Sequence, residues 1–263
     1  MQNFLLASSK PSAKQGWGKN MSGHSHAKTI KHQKEITDKK RGQIFSKVAR
    51  VISVAVKEGG PNPETNSKLR LAIETAHSYN MPNENIERAI KRASGEIPGE
   101  KLEEVLFEVF GPGGIAIIIE GITDNKNRAL GEVKKILEQN QGKLIAQGSV
   151  KWLFERKGCI TVNIKNQISN IKKEELEMMV IEAGADDIYW HDDILDVYTK
   201  IEDLEKVKKN LEEKGIKIES SSLDWAAKEE IEVGKEEKKA CQKLFGALDE
   251  SDEVQEIYSN LKI

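Results

Sequence analysis

The chain has 263 residues, of which 38% are hydrophobic, 5% aromatic and 32% charged, a balance that favours several small domains with thin cores over one deep, pocketed enzyme domain. The longest apolar run, Ile115 to Ile119, is far too short to cross a bilayer. Two distant cysteines, Cys159 and Cys241, with no CxxC leave a disulfide framework and a zinc ribbon unsupported, so a reducing cytoplasm is the expected setting.

Residues 1–20 hold three Lys and no acid, with an apolar piece too short for a secretory signal and no Arg for a transit peptide. They read as a disordered tail, or as an extension ahead of a true start at Met21. From Met21 to Lys57 nine Lys and Arg face two acids, a balance of +7, and the rest of the chain to residue 263 carries −12. A basic front on an acidic body is the charge pattern of a protein that presents one end to a polyanion.

The segment 21–98 reads as a basic three-helix domain. Thr37 or Asp38 caps a helix with Ile44, Val48, Val51, Ile52 and Ala55 at helical spacing. Gly59-Gly60-Pro61-Asn62-Pro63 stops it, and Asn62 with Pro63 starts a second helix carrying Leu69, Ala72, Ile73 and Ala76. After Asn80-Met81-Pro82 a third helix places Ile86, Ala89, Ile90 and Ala93 on one side.

Beyond Leu102 the pattern changes to strands. Val105 to Val109 and Ile115 to Ile119 flank the turn Gly111-Pro112-Gly113-Gly114, and a helix capped by Asp124 follows. Trp152–Phe154 and Ile160–Ile164 read as strands, then a helix, strands at Ile188–Trp190 and Leu195–Tyr198, a second helix and a strand opening at Ile216–Ile218. The fold class expected is α+β: the helical domain plus two ferredoxin-like α+β domains, with 158–222 in β-α-β-β-α-β order inserted into a second domain made of 99–157 and 223–263.

The candidate contacts to nucleic acid begin with His24, His26, Lys28, Lys31, His32 and Lys34, and continue through Lys39, Lys40 and Arg41. On the first helix Lys47, Arg50 and Lys57 form a stripe opposite Ile44, Val48 and Ile52, expected to stay cationic while the other face packs. Lys68 and Arg70 lie on the second helix. Lys126 and Arg128 sit in the first turn of a later helix, where cations oppose the dipole and call for a bound phosphate or a neighbouring acid.

Competing chemistries are weaker. The three histidines have no cysteine nearby and a positive environment, so no metal is expected there. Asp186, Asp187, His191, Asp192 and Asp193 suggest a nuclease-like cation site, but Asp is favoured at such turns for local reasons. The glycine-rich turn lacks the strand-to-helix setting and the Lys-Ser/Thr of a P-loop. Neither cysteine sits in a nucleophile motif. No catalytic residue, cofactor, small-molecule substrate or membrane partner is expected; the expected partner is nucleic acid, either ribosomal RNA or DNA.

The stretches GHSHAKTIKHQK, DKKRGQIFSKVAR, KEGGPNPETNSKLR, NMPNENIERAIKRASGE, FGPGG, TDNKNR and DEVQEIYSN, in this order and spacing, resemble the YebC family, which includes the mitochondrial translational activator of cytochrome c oxidase. The likeness covers nearly all of residues 21–263. Ala27 stands where that family usually has Trp, so a stacking role for that ring is lost or moved. The resemblance implies a helical N-terminal domain followed by two α+β domains, and a non-enzymatic protein acting on gene expression. Bacterial members are described as DNA-binding transcriptional regulators. Mitochondrial members act in translation, and bacterial ones are also tied to ribosomes stalled on proline-rich stretches. A ribosome-associated translation factor is the expectation, with a transcriptional regulator as the alternative; the GGPNP linker gives no clear helix-turn-helix.

Overall fold

A computed structural model of the chain describes residues 38–99, 101–167 and 171–262. The elements in chain order are α1 (Asp38–Gly59), α2 (Ser67–Ser78), α3 (Asn83–Ala93), β1 (Glu103–Phe110), β2 (Ala116–Thr123), α4 (Lys126–Gln139), β3 (Lys143–Leu144), β4 (Phe154–Asn163), α5 (Lys173–Ala183), β5 (Asp187–His191), β6 (Ile194–Thr199), α6 (Leu204–Glu213), β7 (Ser220–Ala227), α7 (Lys235–Asp249) and β8 (Val254–Ser259).

Helices α1 to α3 bury Val48, Ile52, Ala55, Leu69, Ala72 and Ala76 in one core, with Ile86 and Ala89 closing it. α1 ends where Gly60, at φ 84°, donates its N–H to the Val56 carbonyl. α2 starts later than Asn62 and Pro63 suggest. Its cap is Asn66, whose Oδ1 accepts from the Leu69 N–H at 3.1 Å while Nδ2 donates to the Ala55 carbonyl at 2.7 Å. Asn66 therefore caps one helix and ties it to the end of another. Gly59 is part of this joint, because a Cβ there would lie 2.6 Å from Asn66 Cγ.

Two antiparallel four-stranded sheets follow, ordered β3-β1-β2-β8 and β5-β6-β4-β7. The first sheet packs Val109, Ile117 and Ile119 against Val133 and Leu137 of α4 and Leu244 and Phe245 of α7. The hairpin between β1 and β2 needs glycine at Gly113, where φ is +73° and a Cβ would meet Val233 Cγ1 at 2.9 Å. The second sheet packs Ile160, Val162, Leu195 and Val197 against α5 and α6. Its chain order is the β-α-β-β-α-β expected.

Strand boundaries differ from the expectation in two places. Residues Lys151–Leu153 form a 3-10 turn, and β4 runs unbroken from Phe154, because Glu108 accepts the backbone N–H groups of Gly148, Val150 and Lys151 and fixes the turn ahead of it. The last strand of the second sheet is Ser220–Ala227, with no strand at Ile216–Ile218: Ile216 is drawn into the core between that sheet and its helices, its N–H donating to the Leu211 carbonyl.

The helical domain is seated on both sheets. α1 reaches the first through Val54, which packs with Leu102 and Ile122. α2 reaches the second through Leu71, on the edge of its core, and Glu74, which accepts from Lys208 Nζ at 2.6 Å and Ser221 Oγ at 3.3 Å. The sheets meet where Glu120 accepts from Arg156 at 2.7 Å and from the Trp225 indole at 2.8 Å. Among the described residues no helix is long and apolar enough to cross a membrane.

Candidate nucleic-acid interface

Of the residues singled out from sequence, His24, His26, Lys28, Lys31, His32 and Lys34 lie outside the described residues, as does the side chain of Lys39. Lys40 and Arg41 stand at the start of α1, half-buried and exposed respectively, and Lys40 makes no ion pair among the described residues.

The stripe on α1 departs from the expectation of an open cationic face. Lys47 Nζ donates to the Asp249 carbonyl at 2.7 Å, with the Asp249 carboxylate at 3.6 Å. Arg50 Nη1 donates to the carbonyls of Ile122 at 3.0 Å and Asp252 at 2.8 Å, with Glu253 at 3.9 Å. Lys57 Nζ reaches the Leu102 carbonyl at 3.4 Å. The reason is geometric. α1 is covered on two sides, by α2 and α3 and by the first sheet; the second side carries Lys47 and Arg50 largely shielded, with Lys57 exposed at its end. Carbonyls at the C-terminal end of α7 and in the turn after it lack helical partners and accept from them.

The remaining predicted cations meet acids as well. Lys68 pairs with Glu58, and Arg70 donates to the Pro63 carbonyl at 3.2 Å and lies 3.9 Å from Glu205. Lys126 pairs with Glu103 at 2.7 Å, and Arg128 is held between Asp124 and Glu253. The helix-dipole problem posed by Lys126 and Arg128 is thus met by neighbouring acids. These contacts hold the Glu103 and Asp124 carboxyls below the usual range and push the Arg128 guanidinium up. Asn125, rather than Asp124, caps α4 by accepting from Asn127 and Arg128 N–H.

Sequence reasoning missed the cations of α3. Arg88, Lys91 and Arg92 are exposed and make no ion pair among the described residues. Arg88 and Arg92, four residues apart, share a side of α3 that borders Ala89, whereas Lys91 lies on the side away from Ile86 and Ala89. The signal was present in NENIERAIKRA, where Ile86, Ala89, Ile90 and Ala93 alternate with Arg88, Lys91 and Arg92, but Glu84 and Glu87 in the same helix mask it.

The competing sites resolve into local structure. Asp193 pairs with Lys165, Asp192 occupies the β5–β6 turn at φ 50°, and Asp187 accepts from the Ile188 N–H. His191 sits 3.5 Å from Asp196, which also accepts from Thr161 at 2.8 Å. Among the described residues no group of His, Cys, Asp and Glu is arranged to hold a metal ion. Cys159 and Cys241 are buried, and burial pushes the Cys241 thiol up to about 11.

Residues 25–96 match the family described as "TACO1/YebC protein N-terminal domain", and residues 102–261 match "TACO1/YebC second and third domain". A "Probable transcriptional regulatory protein" of Halothermothrix orenii is 44% identical over 244 residues, 92% of this chain and 96% of that one. One of Aquifex aeolicus, similarly named, is 45% identical over 244 residues with the same coverage of both chains, 92% and 96%. The crystal structure of the conserved hypothetical protein Aq1575 from Aquifex aeolicus superposes with a TM-score of 0.80 at 44% identity, covering 86% of this chain and 92% of that chain.

Proposed function

The chain belongs to the TACO1/YebC family, and from that premise we propose that it is a non-enzymatic, nucleic-acid-binding regulator of gene expression whose helical domain sits on ribosomal RNA, acting in translation on ribosomes stalled at proline-rich stretches. The observation that carries this reading is the division of the cations. Lys47, Arg50 and Arg128 are consumed in holding the domains together, whereas Lys40, Arg88, Lys91 and Arg92 carry no internal counter-charge among the described residues. Uncompensated lysines and arginines attract phosphates and release counterions on contact. The acidic α+β body repels the same surface and so orients the molecule.

Sedimentation of ribosomes with the wild-type chain and with Lys39→Glu/Lys40→Glu/Arg41→Glu tests it. Co-sedimentation of the wild type at physiological salt, weakened in the variant, is expected. A wild-type chain that stays free of ribosomes and retards one promoter fragment selectively overturns it.

A second reading, a DNA-binding transcriptional regulator, is favoured by the names of the relatives and by one connection. α2 and α3 are joined by the four residues Tyr79 to Pro82, with Asn80 at φ 55°, the turn length of a helix-turn-helix. Against it, the leading turns of α3 expose Glu84 and Glu87, which would face phosphates if that end entered a groove.

A further inference from the structure

A cleft of about 720 Å³ runs between α1, α3 and residues 98–102. Its apolar floor includes Phe45, Ala49, Met81 and Ala89, and its rim carries Arg88 and Arg92 with Asn85 between the helices. No carboxylate lines it among the described residues. Arg50 also borders the cleft, but its guanidinium is engaged with the Ile122 and Asp252 carbonyls. A second hollow of about 470 Å³ continues past Arg92 to Lys101. Gly99 lets the linker close over this wall, since a Cβ there would lie 3.1 Å from the Arg92 carbonyl oxygen.

We propose that this cleft seats one nucleotide of single-stranded RNA, its flanking phosphates on Arg88 and Arg92 and its base against the apolar floor. The inference deepens the nucleic-acid reading above and rests on it. Three features select this occupant. Two arginines four residues apart on a helix face, on a cleft whose lining holds no carboxylate, match a phosphodiester backbone. An apolar floor containing an aromatic ring accepts the face of a base, which a duplex keeps stacked inside. The hollow beyond Arg92, lined by Lys101 and also by Glu96, gives the strand room to continue past the cleft. A compact anion such as free phosphate would leave the floor unused.

The test measures binding of the full chain to a labelled single-stranded RNA of mixed sequence and to its duplex across a salt series. Arg88→Glu/Arg92→Glu is expected to weaken single-strand binding by about tenfold or more at physiological salt. Loss of two phosphate contacts lowers the log–log salt slope by about 1.4, at roughly 0.7 per phosphate on a single strand. Arg88→Lys/Arg92→Lys, which keeps the charge, restores the slope. Lys135→Glu reverses an exposed charge on α4, outside the cleft and outside the helical domain, and changes binding by no more than about twofold. Phe45→Leu, volume-tolerant in the helical core, weakens the single strand and leaves the duplex alone. The inference is overturned if the Arg88/Arg92 charge reversal binds RNA with unchanged affinity and slope, if Lys135→Glu is equally damaging, or if the duplex binds better than the single strand. A wild-type chain that binds neither probe overturns this inference together with the nucleic-acid reading; a wild-type chain that binds, with the cleft variant unaffected, overturns the cleft alone.

Discussion

Arg50 Nη1 donates to the Asp252 carbonyl at 2.8 Å, across a sequence separation of 202 residues. One guanidinium on the first helix thereby joins the helical domain to the turn between the last helix and the last strand. It also meets the end of β2 at Ile122. The chain's basic front is in part an internal clamp.

Arg50→Ala is accordingly expected to cost about 2 kcal/mol of stability, the range for charge-assisted hydrogen bonds to groups shielded from water. Urea denaturation should show it, with Lys40→Ala within about 0.5 kcal/mol of wild type as the surface control. The same contrast applies to binding. Lys47→Glu should destabilise the chain, while the salt slope for RNA stays near the wild-type value if Lys47 is a structural cation.

Glu108 gives a pH dependence. Burial raises its carboxyl pKa, but the N–H groups of Gly148, Val150 and Lys151 and the charge of Lys151 together outweigh burial and leave it below its ordinary value of 4.5. A carboxylate lowered on folding contributes stability that is fully present above the unfolded value and is lost as pH falls through the folded one. Acid unfolding below pH 4.5 should therefore be less steep in Glu108→Gln. At neutral pH Glu108→Ala should cost about 3 kcal/mol, since three N–H groups lose their acceptor. Denaturant titrations at several pH values check both.

Two glycines should respond in opposite ways. Gly113→Ala forces a Cβ against Val233 at a φ of +73° and should cost about 1–2 kcal/mol. Gly42 lies within α1, where a Cβ would meet nothing within 4 Å, so Gly42→Ala should stabilise the helix by up to about 1 kcal/mol. If the bare backbone at Gly42 also lets phosphate approach closely, the same substitution weakens RNA binding despite the added stability. Thermal melts and the RNA titration separate the two effects.

Both thiols should be inert in the folded chain. Cys241 is buried, with Sγ 3.4 Å from the Pro112 carbonyl, and Cys159 is buried in the second sheet beside Tyr198. A thiol reagent at neutral pH should register two groups only after unfolding, and rapid labelling of the native chain would contradict this.

Helix periodicity, glycine turns and strand alternation made the order of elements readable, since each of those signals is local. The β-α-β-β-α-β order of the second sheet and its helices was readable for the same reason. What sequence could not supply was the partner of each charge. Lys47 and Arg50 look like a solvent stripe when α1 is viewed alone, and only the return of Asp249, Asp252 and Glu253 some 200 residues later turns them inward. Lys126 and Arg128 posed a dipole conflict that sequence could state without choosing between acid and phosphate; Glu103, Asp124 and Glu253 supply the acids. Arg88 and Arg92 went unnoticed because α3 as a whole is not rich in charge of one sign, and the absence of carboxylates from the cleft depends on how it meets α1.

In-cell crosslinking of nucleic acid to the full chain, with the crosslinked peptides and the bound sequences both identified, tests the central claim most directly. Crosslinks from the helical domain, α3 included, to ribosomal RNA are the predicted result. Crosslinks confined to DNA, or to peptides of the two α+β domains with the helical domain silent, would contradict it.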